Sequence, residues 1–173
     1  MTKPWPGIRC LPLVALLAGA CAQPASPPQS LYSNGLDSLE QVIARSSVRV
    51  DTEAHVEGDA SLRIDAQGPI TVQLAEVPLD EVEQAVLQYG ARLRSRDLEG
   101  QAYLEMWVRV PGKGEFFSRA LQAPLRGTHE WTSQETPFFL EAGQRANLAK
   151  LNVVIDGRGT LWIDDLGLTV ASR

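Results

Sequence analysis

The chain has 173 residues, a formal net charge of −5, 44% apolar and 21% charged residues, and two cysteines, Cys10 and Cys21. This is ordinary globular composition, which excludes wholesale disorder. The acidic balance argues against nucleic-acid binding, which needs clustered positive charge. Two cysteines are too few for a disulfide framework or a four-cysteine zinc site.

Residues 1–20 read as a secretory signal peptide. Lys3 and Arg9 give a positive start, no acid precedes Asp37, and Leu11 to Ala20 is an apolar run ending in small residues. That run is shorter than the roughly 20 residues a membrane span needs. Its end, Leu17-Ala18-Gly19-Ala20-Cys21, resembles a bacterial lipobox, with Ala18 where the third position before the cysteine usually holds leucine. The resemblance implies cleavage before Cys21, acylation of that cysteine, and a lipid anchor in the bacterial cell envelope. Ala22, rather than aspartate, follows the cysteine; by analogy this implies the outer membrane. Plain secretion with a free thiol is the alternative. Residues 21–30 then form a tether, since AQPASPPQS has proline, serine and glutamine and almost no apolar bulk. At about 3.1 Å per residue in a polyproline-like state, nine residues reach roughly 28 Å.

The remainder, residues 31–173, is long enough to bury one real core. Its dominant signal is period-two alternation, which marks half-buried strands. In Ala102–Val110, Leu104, Met106, Val108 and Val110 point one way, and Tyr103, Glu105, Trp107 and Arg109 the other. Ala149–Ile155 repeats the pattern, with Lys150 and Asn152 outward. Further strands are expected at Ser47–Thr52, Ser61–Ala66, Ile70–Val77, Phe116–Gln122, Trp131–Phe138 and Thr160–Val170. Pro111-Gly112-Lys113-Gly114 and Asp156-Gly157-Arg158-Gly159 read as hairpin turns. Residues 79–93 fit a helical stripe or a strand equally, with a turn of helix at Asp80–Glu83 as one solution. His55 and His129 read as loop residues. Many short strands joined by tight turns predict an all-β, antiparallel jelly-roll β-sandwich.

Three motifs then occur in order. Gly58-Asp59-Ala60-Ser61-Leu62-Arg63-Ile64 resembles the G-x-x-S-L-x-I strand start of galactose-binding-like carbohydrate-binding modules. Trp131 resembles the tryptophan that opens one of their strands. Gly159 to Leu168, GTLWIDDLGL, resembles their closing strand. The resemblance implies a non-catalytic domain that binds glycans, often with a structural calcium.

Alternation places Asp164 inward with Trp162, Leu166 and Leu168, where an uncompensated charge is costly. Two compensations are open. One is a calcium ion held by Asp164, as the resemblance implies, with carbonyls of the Gly58–Ser61 turn. The other is backbone N–H donation from a neighbouring loop. The outward face of the central strand offers a ligand site: Trp107 and Tyr103 to cover a sugar ring, with Glu105, Arg109 and Arg92 to bond its hydroxyls. No G-x-S-x-G elbow, H-E-x-x-H motif or singled-out carboxylate pair points to catalysis. The expected function is an envelope lipoprotein displaying a binding module for a glycan. A structural lipoprotein that docks a partner protein is the other reading. The first step is directly checkable: the exported protein should lack residues 1–20 and incorporate labelled fatty acid. Cys21→Ala should abolish the label, and an unlabelled wild type would exclude the anchor.

Overall fold

The computed structural model describes residues 27–40, 42–43 and 47–172. The leader, Cys21 and most of the expected tether lie outside the described residues. Eight strands follow one another: β1 (Gln29–Asn34), β2 (Val48–Asp51), β3 (Ser61–Ala66), β4 (Ile70–Val82), β5 (Ala85–Val110), β6 (Gly114–Arg119), β7 (Leu125–Leu140) and β8 (Ala146–Ser172). Every pairing is antiparallel. Among the described residues no helix is long and apolar enough to cross a membrane.

The architecture is a jelly-roll sandwich in which β5 and β8 belong to both layers. They pair with each other from Ala85↔Ser172 to Arg109↔Leu148. In the first layer the order is β4, the N-terminal half of β8, the C-terminal half of β5, then β6. In the second, β1 and β3 flank the C-terminal half of β8, followed by the N-terminal half of β5 and β7; β2 extends this layer beyond β3. Leu87, Tyr89 and Leu93 from one half of β5 and Leu104, Met106 and Val108 from the other share one apolar core.

The change of layer happens at Gly100 and Gly157, which face each other across the ladder. Both have positive φ, 105° and 152°. A Cβ on Gly100 would fall inside the Asp156 carbonyl oxygen, and one on Gly157 inside that of Glu99. Only two glycines let the strands approach this closely while they bend. The turn expected at Asp156–Gly159 is therefore no hairpin: β8 runs straight through it. Pro111–Lys113, in contrast, does close a hairpin, with Lys113 N–H donating to the Val110 carbonyl at 3.0 Å.

Other expectations change as well. Residues 79–93 contain no helical turn; β4 runs on to Val82, and Glu81 and Gln84, at φ 44° and 49°, reverse the chain. Buried Leu87, Tyr89, Ala91 and Leu93 then alternate along β5. β1 starts at Gln29, two residues inside the expected tether. Trp131 lies within β7 rather than opening it, and His129 pairs with Ser95 in the same strand.

Gly157→Ala is expected to destabilise the domain by about 3 kcal/mol or more, since the new methyl meets backbone that cannot rotate away. Urea unfolding measures this; a loss below about 1 kcal/mol would show that the bend tolerates a side chain.

Candidate functional site

Cross-strand register builds the outer face of the first layer in rows. Thr71, Val154 and Tyr103 form one; Gln73, Asn152, Glu105 and Arg119 the next; then Glu76, Lys150, Trp107 and Phe117; then Pro78, Leu148, Arg109 and Glu115. The aromatic row is its centre. The Trp107 and Phe117 rings lie 5.1 Å apart at 50°. Trp107 is half-buried and Phe117 is 52% exposed. The Arg119 guanidinium covers Phe117 at 4.4 Å.

Glu105 holds this arrangement from beneath. It is 5% exposed, and three donors converge on its carboxylate. Trp107 Nε1 donates to Oε1 at 2.7 Å, Asn152 Nδ2 to Oε1 at 3.2 Å, and Arg119 Nε to Oε2 at 2.6 Å. A buried carboxylate is stable only when bonded in this way. Its bonds fix the indole and the guanidinium. Around the rings, Lys150 pairs with Glu115 at 2.8 Å, Arg109 Nε donates to Asn147 Oδ1 at 3.0 Å, and Gln73 Nε2 donates to Glu76 Oε1 at 2.8 Å. A groove of about 390 Å³ adjoins Phe117, lined also by Arg119, Thr136, Phe138 and Phe139.

The structure therefore redistributes the residues expected to bind a ligand. Trp107 and Arg109 stand on the accessible face. Tyr103 shares it but is only 8% exposed, so it supports the face from one end. Glu105 is a buried positioning group rather than an open hydrogen-bonding one. Arg92 is elsewhere: it belongs to the other half of β5, past the Gly100 bend, opposite Asp164 and Ser133. Phe117 and Arg119 were not anticipated. The signal for them was present, because once Pro111–Lys113 is the turn, counting back along both strands sets Phe117 opposite Trp107 and Arg119 opposite Glu105.

Asp164 is fully buried, and its carboxylate accepts backbone N–H bonds. Val56 and Glu57 N–H donate to Oδ2 at 2.6 and 3.1 Å, and Asp165 N–H to Oδ1 at 2.7 Å. Asp37 serves the same loop, accepting from Asp59 and Ala60 N–H at 2.7 and 2.8 Å. A Cβ on Gly58 would collide with the Asp37 carboxylate. The carboxylates here meet N–H donors, whereas calcium takes six to eight oxygens. Glu57 lies beside Asp165, and their hydrogen bond and mutual charge hold the Glu57 carboxyl above its ordinary value. Among the described residues no group of three or more His, Cys, Asp or Glu is disposed to hold a metal. Backbone N–H donation compensates the Asp164 charge in this structure. Trp162 and Asp164, opposite Arg94 and Arg92, share the outer side of the ladder, where the residue 56–57 backbone covers Asp164. A β-bulge at Asp164–Asp165, with Asp165 at φ 49°, reverses the alternation. Leu166 and Leu168 point into the core and Trp162 points out.

No family model matches the chain, and no curated protein matches it. Solved structures do. The CBM22-1 xylan-binding domain of Paenibacillus barcinonensis Xyn10C superposes at a TM-score of 0.60, with 16% identity over 87% of this chain and 99% of that one. The C-terminal family 22 carbohydrate-binding module of Clostridium thermocellum Xyn10B gives 0.55, with 14% identity over 82% and 94%. A family 16 carbohydrate-binding module gives 0.54, with 12% identity over 78% and 99%. At these identities the likeness establishes the fold, the β-sandwich of such modules.

The Asp164 geometry predicts that neither calcium nor a chelator moves the melting temperature of the full chain. Asp164→Ala, which removes the shared acceptor of three backbone N–H groups, should cost about 2 kcal/mol in urea unfolding. Stabilisation by calcium would overturn the assignment.

Proposed function

We propose that the domain is a non-catalytic carbohydrate-binding module whose site is the Trp107–Phe117 face, displayed from the cell envelope by a lipid on Cys21. The observation that carries this reading is the fixed Trp107–Phe117 pair on an open sheet face, with charged and amide side chains around it. A pyranose has apolar C–H faces and a hydroxyl rim. The two rings offer apolar surface, and Lys150, Arg109, Gln73 and Glu76 stand around them within reach of hydroxyls. Because Glu105 already holds the indole, little side-chain freedom is lost on binding. The shared fold with xylan-binding and other carbohydrate-binding modules supports the same class of ligand. The acids near the face support no catalysis: Glu105 is bound by three donors, and Glu115 is paired with Lys150.

On a glycan array the full chain is expected to bind a defined set of plant-type or envelope polysaccharides. Trp107→Ala should weaken that binding by roughly 30-fold, the equivalent of about 2 kcal/mol for a central aromatic. Arg109→Ala should weaken it less. Its melting temperature should stay close to that of the wild type. An array without hits, or a Trp107→Ala variant that binds glycan normally while losing a protein partner, would replace this reading with protein docking.

A further inference from the structure

The outer face of the second layer carries the opposite chemistry. Trp162 of β8 stands in register between Arg63 of β3 and Arg94 of β5. The guanidinium carbons of Arg63, Arg94 and Arg96 lie 5.0, 5.2 and 5.3 Å from its ring centre. The indole is 4% exposed, and its Nε1 donates to Asp51 Oδ2 at 2.8 Å. Arg92 continues the row on β5, one outward step before Arg94, about 6.6–6.8 Å away at the rise of a strand. Arg49 flanks Arg63 on β2. Five arginines thus gather on one face of a chain whose net charge is −5.

Carboxylates engage Arg49, Arg63 and Arg94 and leave Arg92 and Arg96 without an ion pair among the described residues. Asp65 pairs with Arg49 at 3.1 Å and Arg63 at 2.9 Å; Asp51 lies 4.0 Å from Arg63. Glu130, 82% exposed, reaches Arg94 at 3.4 Å. Arg96 makes no ion pair among the described residues. Arg92 Nη2 reaches only the Trp131 carbonyl at 3.4 Å, and its buried Nε has no hydrogen-bond partner among them. Arg63 donates its Nε and Nη2 to Asp65 and Arg94 turns its Nε to Glu130, whereas the Arg96 guanidinium fork has no ion-pair partner among the described residues. That fork matches the oxygens of a carboxylate, phosphate or sulfate. Successive outward positions of a strand form a line, which fits anionic groups repeated along a chain better than a single ion. The line is short, because Glu135 and Asp165 close the Arg92 end and Asp97 and Glu99 follow Arg96.

We propose that this face is a second binding surface, for the carboxylate groups of an anionic polysaccharide. It is independent of the Trp107 face. Isothermal titration of the full chain with polygalacturonate tests it. Wild type should bind, and binding should vanish near 1 M salt, where the screening length is about 3 Å. Arg94→Gln/Arg96→Gln, which keeps the side-chain stems, should weaken binding at least about tenfold with little change in melting temperature, whereas Lys113→Gln, which removes a cation from the Pro111–Lys113 turn, should bind as wild type does. If the double variant unfolds, Arg96→Glu alone should give the same loss, since Arg96 has no ion pair among the described residues whose removal would destabilise the fold. No binding by wild type, undiminished binding by the Arg variants, or binding to phosphatidylglycerol vesicles without binding to polygalacturonate would overturn the proposal, the last in favour of a membrane surface.

Discussion

The antiparallel pairing of β5 with β8 is the constraint on which everything else rests. Each strand runs the length of the molecule and serves both layers, so the two sheets cannot be positioned independently. Gly100 and Gly157 make this possible by letting two backbones bend together at close range. On one side of that bend lie Trp107, Glu105 and the platform; on the other lie Arg92, Arg94 and Trp162. A single hydrogen-bonded ladder therefore sets the register of both outer faces at once.

Those faces solve one problem in two ways. Each places a tryptophan outward on a sheet, where an unsupported indole would be mobile. On the first layer a buried carboxylate anchors Trp107 by its ring nitrogen and leaves part of the ring open. On the second, Asp51 anchors Trp162 in the same way, but three guanidiniums cover it. The first face keeps its aromatic surface and the second trades it for N–H edges.

Local alternation was legible from the residues wherever a strand was regular. Ala102–Val110 showed its inward and outward sets correctly, and the Pro111–Lys113 turn was marked by its glycines and proline. What could not be read was continuity. Gly157 and Gly159 look like turn residues, and only the partner strand reveals that they permit a bend instead. The bulge at Asp164–Asp165 was hidden for a similar reason: an inserted residue shifts parity without any compositional sign, so Trp162 was placed on the wrong face. Arg92 was assigned to the Trp107 face because sequence offers no way to see which side of the bend a residue occupies. Tyr103 and Glu105 were on the correct face, but how deeply neighbouring rows cover a side chain depends on strands distant in sequence. Two of the three N–H donors to Asp164 come from residues more than a hundred positions away.

The pairing of β1 with β8 has a mechanical consequence. Gln29 lies opposite Val170, so the start of the first strand and the end of the last are neighbours in one ladder. Tension applied through both segments would peel β1 from β8 one hydrogen bond after another, the unzipping geometry, which yields at low force. Tension from the N-terminal side against a ligand held on the Trp107 face would instead load the β1–β8 ladder along its strands, in shear. The domain is built to resist the second kind of pull far better than the first.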